Sequence, residues 1–141
     1  MGKDTDFFYC VRYGCIFNSK GVLEVKLIRK ERPRVTNSIT ERVSTGCGYL
    51  YVTVGFDKDG TLIEVFAALG KAGGCSHCQN EALTRAISLG LKFGVPVEEF
   101  IKELIGNECP GKKLWPEDER VLSCADGIGQ VLRNHNGCYK A

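Results

Sequence analysis

Eight cysteines stand out in this chain of 141 residues. Thiolates bind soft metals and exchange disulfides, so their placement is read first. Four of them sit where one sequence pattern gives way to another. Cys47 lies in Thr45-Gly46-Cys47-Gly48, Cys75 in Gly73-Gly74-Cys75, Cys109 in Glu108-Cys109-Pro110, and Cys124 in Ser123-Cys124-Ala125-Asp126. Flanking glycines free the backbone to deliver a thiol to a crowded point. Four thiolates suffice for a tetrahedral zinc site or an iron–sulfur cluster. Because Cys47, Cys75, Cys109 and Cys124 are dispersed, they meet only if the fold joins them. The competing reading is four inert, buried thiols.

A second pattern is local. Cys75-Ser76-His77-Cys78 is a C-x-x-C at an expected helix N-terminus. The partial positive charge there favours thiolate, and His77 could assist proton transfer or bind metal. Cys75 and Cys78 are therefore a redox candidate, although no thioredoxin-like βαβ pattern surrounds them. Cys10, Cys15 and Cys138 read as packing or surface residues, and His135 as an exposed residue of the tail.

The third pattern is charge. Arg29-Lys30-Glu31-Arg32-Pro33-Arg34 is four parts basic in six, and residues 20–42 carry seven Lys/Arg against three Asp/Glu. The plain reading is a solvated connector. The sharper one is a phosphate site of Arg29, Lys30, Arg32 and Arg34, joined by Lys71 of Gly70-Lys71-Ala72-Gly73-Gly74 at a helix start. No Walker loop, G-x-G-x-x-G, H-E-x-x-H or G-x-S-x-G is present, and no catalytic residue is assigned.

These residues need elements to hold them. Residues 7–13 and 22–28 are rich in aromatic and β-branched residues around Asn18-Ser19-Lys20-Gly21, which predicts a hairpin. A second hairpin is expected around Asp57-Lys58-Asp59-Gly60. Leu50, Val52, Val54 and Phe56 lie on one face of its first strand, and Ile63, Val65 and Ala67 alternate in its second. Helical spacing of Leu83, Ala86, Ile87, Gly90 and Leu91 follows, ended by Gly94. Another helix is expected from Pro96 to Gly106, with Val97, Phe100, Ile101 and Leu104 inward. A last one opens at Ser123, with Ile128, Val131 and Leu132 as its stripe and Gly127 and Gly129 allowing close packing. Residues 107–122 read as a loop. Strands followed by helices give an α+β class: an antiparallel sheet of two hairpins with about three helices on one face.

The chain is 43% hydrophobic and 26% charged with net charge +2, as expected of a globular domain without a general affinity for DNA. No apolar run approaches the ~18 residues of a membrane span, and Met1-Gly2-Lys3-Asp4-Thr5-Asp6 is not a secretory signal. A cytoplasmic location with reduced thiols is the expectation.

In order along the chain, Thr45-Gly46-Cys47-Gly48-Tyr49-Leu50-Tyr51-Val52-Thr53-Val54, Glu64-Val65-Phe66-Ala67, Gly70-Lys71-Ala72-Gly73-Gly74-Cys75 and Leu122-Ser123-Cys124-Ala125-Asp126 resemble the TSCPD domain. That domain lies near the C-terminus of many adenosylcobalamin-dependent (class II) ribonucleotide reductases and also occurs in small free-standing proteins. The likeness runs from about Arg32 to Leu132, which divides the chain into an N-terminal hairpin extension (1–31) and a TSCPD-like domain (32–141). The name-giving Thr-Ser-Cys-Pro-Asp stands here as Leu122-Ser123-Cys124-Ala125-Asp126, and Cys78 falls outside the family pattern. A chain of this length has no room for the reductase barrel, its radical cysteine or its cobalamin site. The resemblance thus implies an accessory module with a thiolate metal site, and adenosylcobalamin enters only through a partner reductase. Cys47, Cys75 and Cys124 also look loosely like the ligands of NifU-like iron–sulfur scaffolds. Two further readings are an independent zinc or iron–sulfur protein, and a nucleotide-binding homo-oligomer that reuses the domain.

Overall fold

The computed structural model describes residues 28–70 and 74–137, together with the backbone of three short strands before them. Those strands are β1 (Phe8–Cys10), β2 (Cys15–Phe17) and β3 (Leu23–Glu24). They form an antiparallel sheet in the order β1-β2-β3, with Cys10 opposite Cys15 and Ile16 opposite Glu24. The expected single hairpin becomes three strands among the described residues: Cys15-Ile16-Phe17 is a middle strand, paired with β1 on one side and β3 on the other.

The main sheet is a separate meander of β4 (Asn37–Thr45), β5 (Gly48–Phe56) and β6 (Leu62–Leu69). The two expected hairpins therefore do not share one sheet. Val54 pairs with Ile39 on one side and Val65 on the other, which fixes the faces. Leu50, Val52, Val54 and Phe56 are buried, as their period of two requires. Each such burial contributes about 1.5–3 kcal/mol. Asp57 Oδ1 accepts from the N–H groups of Asp59 and Thr61 and so closes the β5–β6 turn.

Three helices cover the same face: α1 (Cys75–Lys92), α2 (Val97–Leu104) and α3 (Cys124–His135). The class is α+β. Ile87 and Leu91 of α1, Leu104 of α2, and Ile128, Val131 and Leu132 of α3 join the strand residues in one core. A Cβ at Gly129 would stand 2.8 Å from the Leu104 Cβ, so α2 and α3 approach at a point only glycine allows.

The buried face of α1 differs from expectation. Asn80, Thr84, Ile87, Ser88 and Leu91 turn inward, while Ala86 and Leu89 face out. Ser88 supplies the reason. Its hydroxyl accepts from the Val65 N–H at 2.9 Å and donates to the Val65 carbonyl at 3.0 Å. A sheet edge under a helix needs its backbone groups satisfied, and a serine does this where an alanine cannot. No helix among the described residues is long and apolar enough to cross a membrane.

Candidate functional site

The site begins at the end of β4. Thr45 is buried, donates its hydroxyl to the Gly48 carbonyl at 2.8 Å and accepts from the Cys47 N–H at 3.2 Å. That hydroxyl closes the Gly46-Cys47 turn and sets the Cys47 thiol at its tip. The Cys124 Sγ lies 4.0 Å from the same Thr45 oxygen. Gly46 runs under the Gly111 carbonyl so closely that any Cβ there would overlap it. At Gly111 a Cβ would stand 3.8 Å from the Cys47 Sγ and 3.9 Å from the Cys109 Sγ, so both sulfurs flank one point. Three of the four junction cysteines, Cys47, Cys109 and Cys124, are thereby gathered from three segments.

The connection from α2 to α3, read as a loop, is held in place. The Cys109 N–H donates to the Leu122 carbonyl at 3.0 Å, and Lys113 and Val121 exchange backbone bonds of 2.8 and 2.9 Å. Its anchor is Asp126, which is 3% exposed. One carboxylate oxygen accepts from the Gly106 N–H at 2.9 Å, and the other from the Leu122 N–H at 3.0 Å and Gln130 Nε2 at 2.8 Å. The Asp126 N–H in turn donates to Ser123 Oγ at 3.0 Å, the expected cap. One side chain thus joins the end of α2, the end of the loop and the first turn of α3. Sequence reading found the cap but missed the clamp, because Gly106 and Leu122 offer only backbone donors.

The thiols affect one another. The Cys47 pKa is raised, first by loss of solvent around the sulfur although the residue as a whole is exposed. Charge on Cys124 and Cys109 adds to the rise, as does a hydrogen bond with Cys124. The neighbouring sulfurs thus help Cys47 to keep its proton. As the side chains stand, no group of three or more Cys, His, Asp or Glu among the described residues is placed to hold a metal ion.

Cys75 and Cys78 are exposed, and no hydrogen bond or electrostatic contact joins either to the other three thiols. Cys75 nonetheless begins α1 at the same end of the sheet. Leu69 pairs with Leu50, and the Gly70 N–H donates to the Tyr49 carbonyl at 3.0 Å. Within α1, His77 Nδ1 and Asn80 Nδ2 are buried without a partner.

The described residues of the basic segment differ in their surroundings. Arg32 lays its guanidinium on the buried Glu64 carboxylate, Nε at 2.7 Å and one terminal nitrogen at 2.9 Å. It is a partner of Glu64 before it is a phosphate ligand. Arg29, Lys30 and Arg34 are exposed, and Lys71 lies outside the described residues. Cys10, Cys15 and Cys138 have no described side chain either. His135, expected to be simply exposed, is half-buried, with Nε2 2.8 Å from a Glu41 carboxylate oxygen.

Comparison with known proteins identifies the family. The TSCPD domain model matches residues 22–136, most of the chain and every thiol of the site. The match begins at residue 22 rather than near Arg32, so it takes in β3. The chain belongs to the TSCPD domain family. A vitamin B12-dependent ribonucleotide reductase of Streptomyces clavuligerus is 32% identical over 113 residues, which is 79% of this chain and 12% of that protein. Its counterpart in Streptantibioticus cattleyicolor is 32% identical over 82 residues, 58% of this chain and 14% of the relative. That of Agrobacterium fabrum is 31% identical over 74 residues, 52% of this chain and 6% of the relative. The chain thus spans a small part of these curated relatives. No solved structure matches, and the NifU-like comparison stays unsupported.

Proposed function

We propose that this TSCPD domain is an accessory module of a B12-dependent ribonucleotide reductase, built around a thiolate metal site of Cys47, Cys109 and Cys124. The convergence of these three thiols from separate segments carries the reading. A divalent cation would relieve the crowding that raises the Cys47 pKa, since metal binding releases thiol protons and replaces repulsion by bonds. Zinc suits three thiolates and an open fourth position, and an iron–sulfur cluster is the other thiolate-bound group of this kind. Cys75, at the same end of the sheet, is the fourth ligand available from this chain. In this reading the ion has a structural role: it holds the Gly46-Cys47 turn, the Cys109 loop and the first turn of α3 as one docking surface. The reductase chemistry, and adenosylcobalamin with it, belongs to the partner. The module works in the cytoplasm, where its thiols stay reduced.

Elemental analysis with native mass spectrometry on anaerobically purified protein tests the metal. One zinc or iron centre per chain is expected, lost in Cys47→Ser and Cys124→Ser and kept in Cys78→Ala. Metal-free wild-type protein after reconstitution with zinc and with iron and sulfide overturns the site. The partnership is tested separately, by adding the chain to a B12-dependent reductase deprived of its own TSCPD region and measuring ribonucleotide reduction. An unchanged rate argues against it.

A further inference from the structure

A different part of the molecule carries chemistry that the thiol site does not use. The Lys30 N–H donates to the Lys92 carbonyl at 2.8 Å. This bond fastens the basic segment to the last turn of α1 and occupies one of the carbonyls an anion would meet there. Arg29 is thereby brought to a groove between β6 and α1 that Arg85 and Lys92 also line, with a cavity of about 430 Å³. Its apolar wall is Phe66 and Leu89, 52% and 48% exposed. The sequence separates these residues widely, and only the fold assembles them.

The charges in the groove do not cancel. Glu64 is its one acid, and Arg32 already neutralises it through two hydrogen bonds. Arg85 has Glu81 at 3.5 Å, an exposed pair of little strength. Neither Arg29 nor Lys92 has an ion-pair partner among the described residues. Three cations therefore face a solvent-filled cleft beside a phenyl ring presented to water. Guanidinium groups bind phosphate oxygens in pairs, and an exposed ring offers a base a face to stack on. A cleft near 430 Å³ is the size of a small-ligand site rather than of an extended chain track.

We propose that the β6–α1 groove binds a nucleoside polyphosphate, its phosphates on Arg29, Arg85 and Lys92 and its base against Phe66. The site is independent of the thiol metal centre and stands or falls separately from it. Calorimetric titration of the full chain with ADP, adenosine and inorganic phosphate tests it. ADP should bind about tenfold or more tightly than either fragment, because only ADP engages both walls. Arg85→Gln and Phe66→Ala should each weaken ADP about fivefold or more. Both residues are exposed, so thermal unfolding should show these variants folded. Arg34→Gln, outside the groove, should leave affinity unchanged. ADP binding no tighter than phosphate, or insensitivity to both groove variants, overturns the proposal. So does a single-stranded oligonucleotide that binds more tightly than ADP with the same sensitivity, since it would mark an extended nucleic-acid surface.

Discussion

The two groups of cysteines in this molecule are organised in opposite ways. Cys75 and Cys78 are neighbours in sequence, share one helix turn, and remain exposed and uncoupled. Cys47, Cys109 and Cys124 are far apart in sequence, yet they share Thr45, Gly111 and one another as surroundings. The first pair follows from a motif and needs only a helix. The second group needs a turn, a pinned loop and a capped helix to arrive together. A C-x-x-C advertises itself, whereas a site assembled from segment ends depends on groups that carry no thiol. Asp126 is the foremost of these.

The largest expected effect lies on that dependence. Asp126→Ala should destabilise the fold by about 3 kcal/mol in urea unfolding, since the Gly106 and Leu122 N–H groups lose their buried acceptor. Joint replacement of Cys75 and Cys78 by alanine should cost less than about 0.5 kcal/mol, as surface changes do. A reversal of that order would break the contrast. Gly46→Ala comes next, at about 1–3 kcal/mol, because the new methyl must push the Gly111 segment away. It should separate Cys47 from Cys109 at the same time.

The smallest effect concerns pH. The pH midpoint of Cys47 alkylation in the metal-free protein should lie above the ordinary thiol range and fall back towards it in Cys124→Ser. The sign for stability follows. The folded state holds the Cys47 proton more tightly than the unfolded chain does. That contribution is fully present below the ordinary thiol pKa and is lost as pH climbs through the raised value. A midpoint unmoved by Cys124→Ser would show that the thiols do not sense each other.

Much of this fold is legible in the residues. Strands β5 and β6 alternate cleanly, α2 and α3 carry apolar stripes, and Ser123 announces its helix. Strand β4 escapes notice because its inward positions are Ile39, Glu41, Val43 and Thr45, two of them polar. Glu41 is tolerated because it meets His135 of α3, a pairing 94 residues apart that no local pattern reveals. The inward face of α1 is misread for a related reason: Asn80, Thr84 and Ser88 look like a solvated stripe until the backbone of β6 is there to be satisfied. The junction cysteines were visible as a set. Their division into three that meet and one that stays apart was not, since it depends on Gly46 passing under Gly111.

The hydroxyl of Ser88 has one more consequence, which concerns valence. With α1 packed on β6 and both backbone groups of Val65 taken, that border of the main sheet is blocked at its middle against another strand. The opposite border, β4, pairs only with β5 among the described residues. A sheet with one blocked border and one open border is monovalent towards strand addition. Two such sheets that join along β4 would use up each other's open border, so strand addition through the main sheet stops at a pair.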